Sequence, residues 1–247
     1  MNIIKLNAID STNSYIKKLA NKTVIESYTV VVANHQTKGR GQLGTTWTSK
    51  SGKNLTFSIL VRFKSFKATR QFYLSMAVSL GVLTIVKKVV KISFKIKWPN
   101  DILAEKDKVA GILIENILSG NYIKKSVIGI GLNVNQENFP SEIGNVTSLK
   151  KSTGINWDKD ILLKDIVNSI QYYIKFIEQK EFSKLKELYV ASLYKYKNPT
   201  MFETKEGVVF LGKIVDVFED GRLVVELENE TTRKFNLKEI KFTSRKN

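Results

Sequence analysis

The 247-residue chain contains no cysteine, which excludes a disulfide framework and any cysteine-ligated metal. It has one histidine, His35. No paired-histidine or HExxH spacing can therefore occur, and a dedicated metal site is not expected. A Ser-His-Asp mechanism would have to run through His35, and no nucleophile is placed beside it. A structural role at a strand end suits this residue better. Long hydrophobic runs are also missing. The longest candidate, Leu80 to Val90, is broken by Lys87 and Lys88 and falls short of the roughly 18 apolar residues that a membrane span needs. The first residues, Met1-Asn2-Ile3-Ile4-Lys5-Leu6, lack the apolar stretch and small-residue cleavage site of a signal peptide. A cytoplasmic protein without membrane contact is the expectation.

Arginine is confined to Arg40, Arg62, Arg70, Arg222, Arg233 and Arg245. This bears on the net charge of +17, from 40 basic and 23 acidic residues. Such an excess can signal a nucleic-acid partner. The commonest base-specific contacts, however, use arginine's two-pronged fork, and here the lysines are scattered without a long basic block. Abundant Lys, Ile and Asn fit the compositional bias of an AT-rich genome; a surface suited to anionic partners is the other reading. Specific DNA binding is not expected, and no room exists before Asp10 for a helix-turn-helix unit.

What is present suffices for a packed domain: 43% of residues are hydrophobic. Asp10-Ser11-Thr12 can cap a short helix running through Ile16 and Leu19. Strands are expected over residues 28–33 (YTVVVA), 54–61 (NLTFSILV) and 92–97 (ISFKIK). A long helix fits residues 71–90. Ile102-Leu103 and residues 109–115 suggest two strands joined by a polar hairpin, and residues 122–133 a further strand. Helices fit residues 158–179 and 182–194. This is the pattern of an α+β domain with a mixed sheet. Composition shifts at Asn198-Pro199. Short strands over residues 208–211, 213–217, 222–227 and 231–237 follow, separated by turn signals at Glu206-Gly207, Asp220-Gly221 and Glu228-Asn229. They suggest a small SH3-like barrel. The expected division is a catalytic domain, 1–198, and a C-terminal domain, 199–247, with the first able to stand alone.

Four segments could carry chemistry. Gly39-Arg40-Gly41-Gln42-Leu43-Gly44 combines three glycines, whose backbone can approach a ligand and offer N–H groups to an anion, with one fixed cation; alone, it could equally be a flexible surface loop. It is neither a Walker loop nor a Rossmann fingerprint. Trp47 could cover a flat heterocycle or sit in the core. Lys97-Trp98-Pro99-Asn100-Asp101 displays Asn100 and Asp101 at a turn, where Asp101 could help to hold Mg²⁺ or orient phosphates. Lys108 precedes the apolar run Val109-Ala110-Gly111-Ile112-Leu113 and could point across a sheet at a phosphate, or be a solvated hairpin lysine. Gly129-Ile130-Gly131-Leu132-Asn133 would let something approach the strand closely, with Asn133 offering a donor and an acceptor. The absence of a protein nucleophile suits group transfer driven by positioning and charge.

Taken in order, GRGQLGTTW (39–47), KWPND (97–101), KVAGILIE (108–115) and GIGLNVN (129–135) resemble the biotin–protein ligase family. Asp10-Ser11-Thr12-Asn13 and Asn34-His35-Gln36 match as well, and the resemblance covers nearly the whole chain. It implies the family's α+β ligase fold with an SH3-like C-terminal module. It also implies an ATP-dependent enzyme that makes biotinyl-AMP and pyrophosphate, then passes biotin to a lysine of a biotin carboxyl carrier protein, with Mg²⁺ assisting. A monofunctional ligase without the DNA-binding domain is implied, as a monomer or weak homodimer.

By the same resemblance, Ser11, Thr12, Asn13 and Gln36 would meet biotin's ureido end. Gly39 and Arg40 would lie beside its ring or carboxylate, and Gly111 would line its pocket. Lys108 would bridge the carboxylate and the α-phosphate, with Arg40 as the second catalytic cation. Gly41, Gln42, Trp47, Asn100 and Asn133 would join Arg40 around the nucleotide, and Asp101 would face Mg²⁺. The family often has arginine where Gln42 stands and a basic residue where Thr45 stands, which bears on retention of the intermediate. A lipoate–protein ligase, with the same adenylate chemistry, is the nearest alternative; a nucleic-acid-binding protein, suggested by the charge and the barrel, is the other.

Overall fold

The structure is a computed structural model, and residues 1–243 are described. A seven-stranded sheet carries the N-terminal part. Its strands are β1 (Ile3–Ile9), β2 (Thr29–Gln36), β3 (Leu55–Lys67), β4 (Phe94–Lys97), β5 (Asp101–Ala104), β6 (Asp107–Ser119) and β7 (Tyr122–Leu132), in the order β1-β2-β3-β7-β6-β5-β4. Only β1 and β2 run parallel; the other neighbours are antiparallel.

Strand alternation divides this sheet into two unlike faces. In β3, Leu55, Phe57, Ile59, Val61 and Phe63 enter the main core; in β7, Ile128, Ile130 and Leu132 do so. Three helices cover that face: α2 (Phe72–Val89), α4 (Lys159–Glu178) and α5 (Phe182–Ala191). On the other face, Thr56 and Ser58 on β3 and Gly129 and Gly131 on β7 are polar or small, with Leu60 and Val127 apolar beyond them. A single short helix, α1 (Thr12–Lys22), lies on this second face, where Ile16 and Ala20 pack on Val31, Leu60 and Val127. The remainder of the face is left open as a trough.

Helix α2 is apolar nearly all round, as suits a helix between a sheet and α4. The stretch Ala68–Val89 is long and apolar enough to cross a membrane, contrary to the sequence expectation, but 72% of its most apolar window is buried inside the protein. Asp158 caps α4 by accepting from the backbone N–H groups of Asp160 and Ile161. Ser11 stands at the N-cap of α1 as expected, yet makes no side-chain cap hydrogen bond; its side chain faces the trough instead.

The second sheet is antiparallel, with strands β8 (Thr200–Thr204), β9 (Val209–Val217), β10 (Leu223–Leu227), β11 (Thr232–Phe235) and β12 (Ile240–Phe242) in the order β11-β10-β9-β8-β12. This is an SH3-like sheet that does not close, since β11 and β12 remain edges. The two strands expected over residues 208–211 and 213–217 are one strand, β9, which begins at Val209. The strands β1, β8 and β12, and the short helix α3 (Leu149–Thr153), have no counterpart in the sequence reading.

The two sheets share one core. Phe202, Ile214, Val217, Leu223 and Phe235 belong to the same apolar cluster as the α2 and α4 side chains. Trp98, buried at the junction, donates its indole N–H to the Gly221 carbonyl at 2.9 Å. The Lys186–Asp216 ion pair at 2.7 Å and a hydrogen bond from Tyr73 to Glu219 at 3.3 Å join the same surfaces.

Candidate active site

The trough deepens into a cavity of about 270 Å³, large enough for a small ligand. Its floor is made by what the strands lack. Gly111 on β6 faces Gly131 on β7, and Gly129 lies two residues along. A Cβ at Gly129 would collide with the Asn13 amide; one at Gly131 would enter the indole of Trp47. The glycines let these side chains lie against the sheet.

One end of the cavity is uncharged and rich in hydrogen-bonding groups. Helix α1 begins here, so Ser11, Thr12 and Asn13 are all buried at its first turn. Gln36, at the end of β2, accepts through Oε1 from the Thr12 backbone N–H at 2.8 Å and from Thr12 Oγ1 at 3.0 Å. The other end holds Lys108 and Asp101, carried on the β5–β6 hairpin. Lys108 Nζ lies 2.8 Å from Asp101 Oδ1 and 5.7 Å from the centre of the Trp47 ring, within cation–π range. Lys108 thus faces the cavity and is not a free hairpin lysine. Asp101, expected towards Mg²⁺, is engaged by this cation.

The glycine loop forms the outer wall. It closes on itself through a Gly41 N–H to Thr45 O hydrogen bond at 2.6 Å, and Gln42 O accepts from the Thr45 hydroxyl at 2.8 Å. Gly41, Gln42 and Trp47 line the cavity. Trp47 lies on the glycine floor, and its indole N–H is buried without a partner among the described residues. Arg40 borders the cavity, but its guanidinium pairs with Glu115 at 2.7 Å. Gly39 lies just outside, accepting from the Trp47 backbone N–H. Asn100 reaches the cavity, while its Nδ2 donates to the Ile112 carbonyl at 2.5 Å and so pins the turn to β6. From α5, the Tyr189 hydroxyl donates to the Pro99 carbonyl at 2.9 Å and fixes that turn from behind.

Asn133 does not line the cavity. It is buried, with Nδ2 donating to the Thr147 carbonyl at 3.1 Å and Oδ1 without a partner among the described residues. His35 is not a cavity residue either. Sequence reasoning missed Leu237 and Lys238, which reach the cavity from the C-terminal sheet; Lys238 Nζ donates to the Leu43 carbonyl at 3.4 Å. No local signal marks these two, because only the docking of the two sheets brings them here. Glu115 was passed over as the last residue of an apolar strand motif.

The floor gives a direct prediction. Gly131→Ala places a methyl group where the indole lies, and inserting a methyl group into a packed site costs about 1–3 kcal/mol. Ligand binding at the cation end should weaken roughly tenfold or more. Isothermal titration with ATP measures this, and an unchanged affinity would mean that the Trp47 position is irrelevant to binding.

Comparisons with known proteins place the chain in a family. The model of the biotin/lipoate A/B protein ligase family matches residues 6–133. Biotin protein ligase from Aquifex aeolicus in complex with biotin and ATP is 29% identical, with 98% of each chain covered and a TM-score of 0.79. A point mutant of the same enzyme in complex with biotin is 30% identical at the same coverage and TM-score. Among sequences, the bifunctional ligase/repressor BirA of Bacillus subtilis is 29% identical over 235 residues, 94% of this chain and 71% of that protein. The biotin–[acetyl-CoA-carboxylase] ligase of Mycobacterium tuberculosis is 36% identical over 117 residues, 46% of this chain and 41% of that protein. The chain belongs to the biotin/lipoate A/B protein ligase family, and its similarity along nearly the full length of a solved biotin protein ligase sets it among the biotin–protein ligases.

Proposed function

We propose that this enzyme joins biotin to ATP as biotinyl-AMP, releasing pyrophosphate, and then transfers biotin to a lysine amine of a biotin carboxyl carrier protein. The observation that carries this reading is the polarity of the cavity. One end, with Thr12, Asn13 and Gln36, presents hydrogen-bonding groups without charge. The other presents Lys108. A ligand with a urea at one end and a carboxylate at the other fits that order, and the glycine floor between them leaves room for a hydrocarbon chain.

In the first step the biotin carboxylate attacks the α-phosphorus and pyrophosphate leaves. Two anions must approach, so a fixed cation between them lowers the barrier. Lys108 occupies that place, and Arg40 and Lys238 are further cations at the cavity. In the second step a neutral lysine amine attacks the carbonyl of the mixed anhydride and AMP leaves. The glycine loop and Trp47 would shield the anhydride from water meanwhile. Gln42, being neutral, would hold the phosphate through its amide alone. The catalytic work falls to residues 1–198, and Leu237 and Lys238 of the C-terminal sheet complete the wall.

Magnesium fits only as a companion of ATP. Asp101 is the one acid lining the cavity, and no group of three potential metal ligands occurs among the described residues. Magnesium commonly takes one or two carboxylates, with phosphate and water completing its shell. Asp101 would hold it, and the ion would offset phosphate charge.

The test is transfer itself. Incubated with ATP, a biotin carboxyl carrier domain and equal amounts of biotin and lipoate, the enzyme should add the mass of one biotinyl group to the carrier, seen by mass spectrometry. A carrier modified with lipoate and not with biotin would move the enzyme to the family's other branch.

A further inference from the structure

A second line of polar contacts leaves the uncharged end of the cavity and returns to the glycine loop. Ser58, fully buried on the trough face of β3, has its hydroxyl 2.7 Å from Thr12 Oγ1 and 2.6 Å from Asn13 Oδ1. Asn13 Nδ2 donates to Glu115 Oε2 at 2.9 Å, and Arg40 Nη2 donates to the same oxygen at 2.7 Å. Lys17 Nζ stands 3.5 Å from the other carboxylate oxygen. Burial opposes ionisation of Glu115. The Asn13 hydrogen bond and the charges of Arg40 and Lys17 outweigh it, holding the carboxyl below its ordinary range. Arg40 therefore has an ionised partner at neutral pH. Neither Ser58 nor Glu115 lines the cavity; Glu115 borders the neighbouring cleft beneath the glycine loop.

The Ser58 hydroxyl has one proton and two acceptors within reach, so it serves one at a time. Thr12 Oγ1 already gives its proton to Gln36 and so meets Ser58 as an acceptor. A ligand N–H that donates to Thr12 Oγ1 competes with Ser58, whose proton then turns to Asn13 Oδ1 and fixes that amide. The other end of that same amide holds Glu115, and Glu115 holds Arg40. Each link is a contact shorter than 3 Å, with no gap between the urea end and the loop.

We propose that Ser58 and Glu115 are positioning residues that couple the urea end of the cavity to Arg40, so that biotin and ATP bind cooperatively through this relay. The proposal rests on the ligase reading above. Cooperation is a ratio: the biotin affinity with a non-hydrolysable ATP analogue present, divided by that without it. A residue that merely supports the fold shifts both affinities and leaves the ratio alone.

The experiment is fluorescence or calorimetric titration of biotin into the full chain, with and without α,β-methylene ATP. The parent protein should show a ratio of about fivefold or more, and Glu115→Gln and Ser58→Ala should each reduce it below about twofold. Glu115→Gln keeps an acceptor for Asn13 and removes only the charge. The double variant should match either single one, because links in series do not add. An unchanged ratio in both single variants overturns the relay, including the case where both affinities fall in step. A parent that binds both ligands with a ratio near one overturns it too. A parent that does not bind biotin at all removes the ligase reading itself.

Discussion

Lys108→Ala should slow formation of biotinyl-AMP by roughly 10²–10³-fold, the usual loss when one charge-stabilising contact at a reacting centre is removed. Transfer from pre-made biotinyl-AMP to the carrier should fall far less. The asymmetry follows from charge. Adenylation brings a carboxylate against a phosphate, whereas transfer sets a neutral amine against a carbonyl. The Lys108–Asp101 pair sharpens the prediction, because at 2.8 Å the lysine also neutralises an acid in the cavity wall. Its loss leaves Asp101 facing the incoming phosphates, adding repulsion to the missing attraction. Single-turnover measurement of each half-reaction decides the matter; equal losses in both would mean that Lys108 serves binding in general.

Removal of residues 199–247 should abolish activity and cooperative unfolding together. The composition shift and turn signals after Asn198 predict a separable unit, but the apolar cluster runs through both sheets. Truncation would expose Phe72 and Trp98, which meet Gly221 in the turn between β9 and β10. Fully exposing such side chains costs about 1.5–3 kcal/mol each, against a whole-domain stability of about 5–15 kcal/mol. The Trp98 and Lys186 contacts would go as well. The cavity would also lose the wall formed by Leu237 and Lys238. A truncated protein that melts in a single transition near the parent's temperature, or that still forms biotinyl-AMP, would contradict this.

Much of the fold was legible because the hydrophobic pattern was strong. Helices α2, α4 and α5 and strands β2, β3 and β7 each follow their own period, and tertiary packing only adjusted their ends. Strand β1 was not legible: Ile3–Ile9 is short, half exposed and paired on one side only. Strands β8 and β12 are likewise short, and β12 becomes a strand only through pairing with β8. Gly212 looked like a break yet sits inside β9, because its missing side chain admits Val225 from the next strand.

The candidate site divides in the same way. Glycines, Lys108 and the α1 N-terminus cluster in the cavity because each sits in a compact local motif. Arg40 was expected to face a ligand, and its engagement with Glu115 depends on a partner 75 residues away. Nothing in the local sequence carries that pairing, just as nothing local carries Lys238 to the loop.

The central claim is an adenylating enzyme specific for biotin, and isotope exchange between labelled pyrophosphate and ATP tests it most directly. Formation of an enzyme-held acyl-adenylate is reversible, so label should enter ATP without any carrier protein. The account predicts exchange that requires biotin, is not supported by lipoate, and falls with Lys108→Ala. Exchange driven by lipoate, or exchange indifferent to both acids, would contradict it.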